Sequence, residues 1–231
     1  MTCPWQYDET IQIGTDYQNE DEVRNYDKHM QKLRDVDAEA SEIRTALEIS
    51  QNSTIWEIGT GTGECALALA ANAKHIYATD ISPAMLNYAR LKAAQRQITN
   101  VTFNNGGFLS GFQPEEQVDG IISQLALHHL PDFWKARAFN TVAKKLKPNG
   151  RFYLRDVVFS PGTTDKDDFF QMVIGGIKAQ AGEEVAQKTI EHIKSEFSTF
   201  DWILEGMIAR SGMKLIEKIN KGFLSVYICG K

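Results

Sequence analysis

The central part of the chain alternates between short apolar runs and longer segments whose apolar residues recur at helical spacing. Runs of strand length lie at residues 54–58, 75–79, 101–103, 118–123 and 152–159. Helical patterns separate these runs, except that a loop with Gly106-Gly107 follows the third run. Strands joined through single helices form a parallel sheet, because right-handed crossovers place the helices on both of its faces. The pattern therefore predicts an α/β fold with a doubly wound sheet.

The C-terminal part adds two strands and a helical insertion to this sheet. Residues 213–219 and 223–229 have strand patterns, and the short turn that joins them is typical of an antiparallel hairpin. We therefore expect seven strands, mostly parallel, with an antiparallel C-terminal hairpin. Residues 163–198 carry helical patterns with breaks at Gly175-Gly176 and Gly182, so we expect an insertion after the fifth strand that covers the sheet edge as a lid.

Residues 1–50 are polar and acidic, yet apolar residues recur at helical spacing from about residue 20 onward. Val23, Tyr26 and Met30 fit one amphipathic helix, and Ile43 and Leu47 fit a second. We expect residues 1–50 to form an N-terminal helical cap on a domain of residues 51–231, with both parts in a single structural unit.

The first strand is followed by a turn with alternate glycines, Gly59, Gly61 and Gly63, and then by an apolar helix. Such a turn exposes backbone N–H groups and the positive end of a helix to an anionic or polar ligand. A dinucleotide fingerprint needs its third glycine where this chain has Glu64. The chain also lacks the G-x-x-x-x-G-K-[ST] loop, so neither a nicotinamide enzyme nor a triphosphate-binding loop is supported.

The run Glu57-Ile58-Gly59-Thr60-Gly61-Thr62-Gly63 resembles the first motif of the class I S-adenosylmethionine-dependent methyltransferases, an acidic residue followed by Gly-x-Gly-x-Gly. Asp80 is similar to the family's acidic residue that accepts hydrogen bonds from both ribose hydroxyls. Residues 82–86 resemble the segment that packs on the adenine. The closing hairpin resembles the family's reversed seventh strand. The resemblance extends from about residue 54 to the C-terminus and implies a Rossmann-like fold.

The resemblance also implies an enzyme that transfers a methyl group from S-adenosylmethionine and releases S-adenosylhomocysteine. One position departs from the family pattern. Gly106-Gly107 stands where the family often has an acidic residue for the adenine amino group, so that side-chain contact is in doubt. The implied cofactor-binding residues of the glycine turn and strand ends are Glu57, Gly59, Thr60, Gly61, Gly63, Asp80, Ile81, Met85, Gly107, Phe108 and Gln124.

Two cap residues, Tyr26 and Arg34, are further candidates for cofactor contacts. An aromatic ring face can stabilise the positive sulfur of the cofactor, and a guanidinium can bind its carboxylate with two hydrogen bonds. The alternative interpretations are plain packing for Tyr26 and a solvated helix face for Arg34.

Methyl transfer depends mainly on alignment, so catalytic residues are hard to identify from sequence. His128 and His129 follow the fourth strand and Asp156 ends the fifth, which makes these residues candidates for accepting a proton from the acceptor or orienting it. A structural role is the alternative for each. A metal site formed by His128, His129, Glu191 and His192 is not favoured, because adjacent side chains on an extended segment point to opposite sides. We therefore predict no metal ligands.

The composition limits the choice of partners. A formal net charge of −5 disfavours a nucleic-acid footprint, and no apolar run reaches the roughly 18–20 residues that a membrane span requires. The N-terminal residues lack a secretion signal, and three widely spaced cysteines do not form a disulfide framework. We therefore expect a cytoplasmic protein with reduced thiols.

The expected activity is methylation of a small-molecule acceptor, most similar to the activities of quinone-pathway and related metabolite methyltransferases. No membrane or nucleic-acid partner is expected, and a homodimer is compatible with the sequence. One alternative is a non-catalytic S-adenosylmethionine-binding or regulatory module. A methyltransferase acting on RNA is a further alternative, which the negative charge disfavours.

Overall fold

The computed structural model describes residues 4–11, 23, 27, 34–162, 164–221 and 223–231. The strands within these residues are β1 Thr54–Ile58, β2 His75–Asp80, β3 Val101–Asn105, β4 Val118–Gln124, β5 Leu146–Phe159, β6 Thr199–Phe200, β7 Lys214–Lys221 and β8 Leu224–Gly230. The helices are α1 Val36–Ala46, α2 Glu64–Leu69, α3 Pro83–Gln95, α4 Asp132–Lys145, α5 Lys166–Ala181, α6 Glu183–Ser195 and α7 Asp201–Arg210. Short 3-10 turns cover Ala70–Asn72 and Leu127–His129.

The main path of the sheet has the strand order β3-β2-β1-β4-β5-β8-β7, and the two-residue β6 pairs with the end of β5. β1 to β5 pair with one another in parallel, whereas β8 runs antiparallel to both β5 and β7. The predicted doubly wound, mostly parallel sheet with an antiparallel C-terminal hairpin is therefore confirmed. Strand order reverses between β1 and β4, so their carboxyl ends border the crevice where such sheets bind ligands.

Apolar side chains cover both faces of this sheet. On one face α1, α2 and α3 pack against strand residues such as Ile55 and Ile76, and on the other α4 and α7 pack against Trp56 and Phe152. Trp56 is fully buried, and its indole N–H donates to Thr79 Oγ1 at 3.0 Å, so its polar atom is satisfied. The strands that carry the glycine turn are thus held rigidly from both sides.

Two local predictions differ from the structure. β5 begins at Leu146 rather than at residue 152, because Leu146 already pairs with Val118 before a register shift. The predicted break at Gly175-Gly176 is wrong, since both glycines lie inside α5, where each costs about 1 kcal/mol relative to alanine but does not stop the helix. Gly182, with φ +91°, does separate α5 from α6.

Helices α5 and α6 form the predicted insertion after β5. Phe169 of α5 is buried against Val157 and Phe159 at the end of β5, which anchors the insertion on the sheet. The division into a cap of residues 1–50 and a domain of residues 51–231 stays a prediction. In the part of the chain that the structure describes, no helix is both long and apolar enough to cross a bilayer.

Candidate active site

The glycine turn after β1 is held by backbone hydrogen bonds and by close packing. The N–H groups of Gly59 and Thr60 both donate to the carbonyl oxygen of Thr79 at 2.9 Å. Gly59, Gly61 and Gly63 have φ values of +76°, +54° and +79°, which side chains of L-residues rarely adopt. A Cβ on Gly59 would collide with Ala126, whereas a Cβ on Gly61 would meet open space. The turn therefore packs tightly at Gly59 and opens at Gly61.

Asp80, at the end of β2, presents its carboxylate beside this opening. One oxygen accepts from the N–H of Gly61 and the other from the N–H of Ser82, both at 2.8 Å. Ser82 also caps α3, because its hydroxyl accepts from the N–H of Met85 at 3.2 Å. Burial raises the pKa of Asp80, and the backbone N–H donors partly offset this effect.

A cleft that is partly open to solvent lies beyond the carboxyl ends of β1, β2 and β4. A smaller cavity adjoins it and shares Gly59, Gly61 and Gln124 with it. Gly63 lies outside both linings, and Tyr26 lies outside the described residues. The predicted site residues that line the larger cleft are Gly59, Gly61, Asp80, Ile81, Met85, Gly107, Phe108, Gln124 and His129.

The smaller cavity brings together Glu57, Thr60 and Arg34. Glu57 is buried and accepts from the hydroxyl of Thr60 at 2.6 Å, and burial raises its pKa. The Arg34 Nε donates to both carboxylate oxygens of Glu39, at 2.9 and 3.1 Å, and a terminal nitrogen donates to Gln124 Oε1 at 3.2 Å. The guanidinium of Arg34 is therefore fixed beside the glycine turn.

Glu9 is a residue of this site that sequence reasoning missed. Its carboxylate accepts from the N–H groups of Phe108 at 3.0 Å and Leu109 at 2.9 Å, and from the Ser110 hydroxyl at 2.7 Å. Glu9 is buried in the cleft wall, and burial raises its pKa. A Cβ on Gly107 would come 2.5 Å from a Glu9 oxygen, so the glycine makes room for this carboxylate. The unusual Gly106-Gly107 pair was the one sequence signal of this arrangement.

His128 and His129 lie on a 3-10 turn rather than on an extended segment. Their rings are therefore adjacent, with centroids 4.2 Å apart, and the expectation that they point to opposite sides is wrong. Nδ1 of His128 pairs with the buried carboxylate of Asp156, which also accepts from the N–H of Leu127 at 2.8 Å. Asp156 thus lies behind the turn and is absent from the lining of the cleft, whereas His129 borders the cleft.

The two histidines have opposite charge preferences. Burial disfavours the charged form of His128, but the carboxylates of Asp156 and Glu196 outweigh burial and raise its pKa to about 9. Burial and the positive charge of His128 lower the pKa of His129 to about 4. At neutral pH the ring at the cleft is therefore neutral, and the ring behind it is a cation held between carboxylates.

The chain is similar to known methyltransferases. The sequence model of a methyltransferase domain matches residues 55–150. An uncharacterized methyltransferase of Geobacillus kaustophilus is 28% identical over 190 residues, which are 82% of this chain and 81% of the relative. An uncharacterized methyltransferase of Bacillus subtilis is 26% identical over 220 residues, covering 87% of this chain and 92% of the relative.

A solved structure extends the likeness to the fold. Magnesium protoporphyrin IX methyltransferase from Synechocystis, solved with bound SAH, superposes with a TM-score of 0.60 at 18% sequence identity, covering 88% of this chain and 83% of that chain. At this level of identity the superposition shows a shared fold. The sequence matches run through the strands and turns that build the cleft, so the chain is similar in sequence to methyltransferases and shares its fold with an S-adenosylhomocysteine-bound methyltransferase.

Proposed function

We propose that this enzyme binds S-adenosylmethionine in the cleft and transfers its methyl group to a small-molecule acceptor next to His129, with S-adenosylhomocysteine as the product. The observation that carries the proposal is the single cleft that collects most of the predicted cofactor residues around the carboxylate of Asp80. The bound cofactor supplies a methyl group on a positively charged sulfur. The residues of the chain bind and orient the two reactants and exclude water.

The walls of the cleft fit the adenosine part of the cofactor. A carboxylate offers about four acceptor sites, so Asp80 retains capacity for ribose hydroxyls beside its bonds to Gly61 and Ser82. Met85 and Phe108 supply apolar surface for the adenine ring. The bare backbone at Gly61, where a Cβ would meet open space, supports close approach of the ligand.

Charged groups supply the remaining cofactor contacts in this proposal. Glu9 replaces the missing acidic residue after β3, because its carboxylate lies in the cleft wall against Phe108. Arg34 and Glu57 flank the glycine turn in the adjoining cavity, where the amino-acid end of the cofactor would extend. Arg34 suits the cofactor carboxylate, since a planar guanidinium can bind a carboxylate with two parallel hydrogen bonds.

The part of the cleft next to His129 is partly apolar. Leu125 and Leu130 line it next to His129, whose neutral ring can form a hydrogen bond and so orient an acceptor hydroxyl, amine or thiol. The net charge of −5 supports a small molecule over RNA as the acceptor.

The cofactor assignment is tested with Asp80→Asn, which removes the charge but keeps the shape. We expect S-adenosylmethionine binding, measured by titration calorimetry, to weaken by about 1–3 kcal/mol, or roughly 5- to 150-fold. Asp119→Asn is the matched control, because Asp119 pairs with Lys147 and with the N–H of Thr54 at the opposite end of the sheet. Equal affinity in the two variants would refute the role of Asp80.

The acceptor class is tested with methyl-labelled cofactor and fractionated cell extract. We expect label to move into the small-molecule fraction. Label in the nucleic-acid fraction would replace this proposal with RNA methylation. Saturable cofactor binding without any labelled product would instead identify a non-catalytic binding module.

A further inference from the structure

A cluster of three histidines and one glutamate lies where the insertion after β5 meets the sheet. His128 and His129 belong to the 3-10 turn after β4, His192 lies in the last turn of α6, and Glu196 follows that helix. The N–H of Phe197 donates to the carbonyl oxygen of His128 at 3.0 Å, which joins the two segments directly. The cluster is therefore built from two separate parts of the chain.

Ring nitrogens in this cluster converge on one carboxylate oxygen. Glu196 Oε2 lies 3.0 Å from His128 Nε2 and 2.9 Å from His192 Nδ1. It lies 3.7 Å from His129 Nδ1. Ligand atoms about 2.0–2.2 Å from one tetrahedral ion are roughly 3.3–3.6 Å apart. The three separations from Glu196 Oε2 bracket this spacing.

The central oxygen is paired with the surrounding imidazole rings. Glu196 Oε2 is buried and lies within ion-pair distance of the ring nitrogens of His128 and His192. Buried charges in proteins are usually paired or bind metals. A divalent cation among the rings would displace the ring protons and bind this oxygen in their place.

In two of the rings, the nitrogen that faces away from Glu196 has its own polar partner, as in metal-binding histidines. Nδ1 of His128 pairs with Asp156, whose carboxylate is itself held by the N–H groups of Leu127 and Val157 at 2.8 and 2.7 Å. Nε2 of His192 lies 2.8 Å from the hydroxyl of Ser198. Ligating histidines usually use their second nitrogen in this way, which orients the first toward the ion.

We propose that His128 Nε2, His129 Nδ1, His192 Nδ1 and Glu196 Oε2 bind one divalent first-row transition-metal ion. Imidazole nitrogens with a single carboxylate suit Zn²⁺ and its neighbours, whereas Mg²⁺ and Ca²⁺ require mainly oxygen ligands. The ligand atoms of His128, His129 and Glu196 already lie within 4.8 Å of one another. Zn²⁺ is the ion we expect, because it accepts this donor set in tetrahedral geometry.

The ion would lock the insertion onto the sheet at the acceptor end of the cleft. Two of its ligands come from α6 and the residue after it, and His129 is also part of the cleft wall. Metal binding would therefore fix the position of the His129 ring and of the segment that follows α6. The metal site itself does not rest on the proposed methyl transfer, because its ligands can be tested without cofactor.

The test compares Glu196→Gln with Glu191→Gln, using the full chain after removal of metals with a chelator. Glu191 is the matched control, since it is an exposed glutamate of α6 close to Glu196 in the chain. We expect one Zn²⁺ per chain for the wild type and the control by calorimetry and elemental analysis. We expect about 100-fold weaker binding, or more, for Glu196→Gln. Co²⁺ added in place of Zn²⁺ should give the absorption bands of a tetrahedral site only in the wild type and in Glu191→Gln.

Two results would overturn the metal site: no stoichiometric Zn²⁺ binding by the wild type, or equal affinity in Glu196→Gln and Glu191→Gln. Circular dichroism shows whether Glu196→Gln is folded. If Glu196→Gln is not folded, His192→Gln is tested in its place, with His75→Gln on β2 as its control. Equal Zn²⁺ affinity in His192→Gln and His75→Gln also overturns the metal site. Titration of the same samples with S-adenosylmethionine separates a failure of the metal site from a failure of cofactor binding.

Discussion

The contact between Gly59 and Ala126 gives the sharpest prediction from this structure. Alanine at position 59 would have to adopt φ +76°, which costs an L-residue about 1–2 kcal/mol. Its Cβ would also lie less than 3.0 Å from Ala126 Cβ, where ordinary contacts between carbon atoms are about 3.5–4.0 Å. Such overpacking costs about 1–3 kcal/mol. Gly59→Ala should therefore lower the free energy of unfolding by about 2–5 kcal/mol.

Gly61→Ala is the matched control two residues away in the same turn. Gly61 also has a positive φ, +54°, but a Cβ there would meet no atom within 4 Å. Only the backbone strain of about 1–2 kcal/mol remains. The new methyl group would instead project where Gly61 lines both cavities. We expect S-adenosylmethionine binding to weaken at least 10-fold, or about 1.4 kcal/mol, in this variant.

Urea unfolding and calorimetric titration separate these two effects. Gly59→Ala should be the less stable variant by about 1–3 kcal/mol, and Gly61→Ala should lose affinity in excess of its small loss of stability. Equal unfolding free energies would show that the packing of Gly59 against Ala126 does not limit the turn. Unchanged affinity in Gly61→Ala would show that the ligand does not approach the open glycine.

Local pattern was enough to predict the fold and the proximity of the glycine turn to Asp80. β1, β2 and β4 are short apolar runs, and the carboxyl ends of neighbouring parallel strands meet at one edge of a sheet. The glycine turn and Asp80 each follow such a strand, so their proximity followed from topology. The structure places both in the wall of one cleft.

Contacts between distant segments could not be predicted in this way. Glu9 meets Phe108, 99 residues away, and no periodicity links an N-terminal segment to the loop after β3. Glu196 likewise meets His128 only because α6 returns to the turn after β4. Adjacent side chains point apart on an extended segment, but the 3-10 turn at His128 and His129 places their rings side by side, which the sequence pattern did not predict.

Two carboxylates outside the sequence predictions yield further tests. Glu9→Gln should lower the free energy of unfolding in urea by about 1–3 kcal/mol and weaken cofactor binding, because an amide cannot accept all three hydrogen bonds from residues 108–110. An unchanged unfolding free energy together with unchanged cofactor affinity would exclude this role of Glu9. Burial opposes ionisation of Glu39, but Arg34 and Arg155 outweigh it and lower its pKa. The stabilisation that ionised Glu39 supplies is therefore complete above the unfolded-state pKa of about 4.3. It is lost as the pH falls through the lower pKa that Glu39 has in the folded state. Glu39→Gln should be less stable than the wild type by about 1–2 kcal/mol at neutral pH, and a deficit that persists in acid would contradict the assignment.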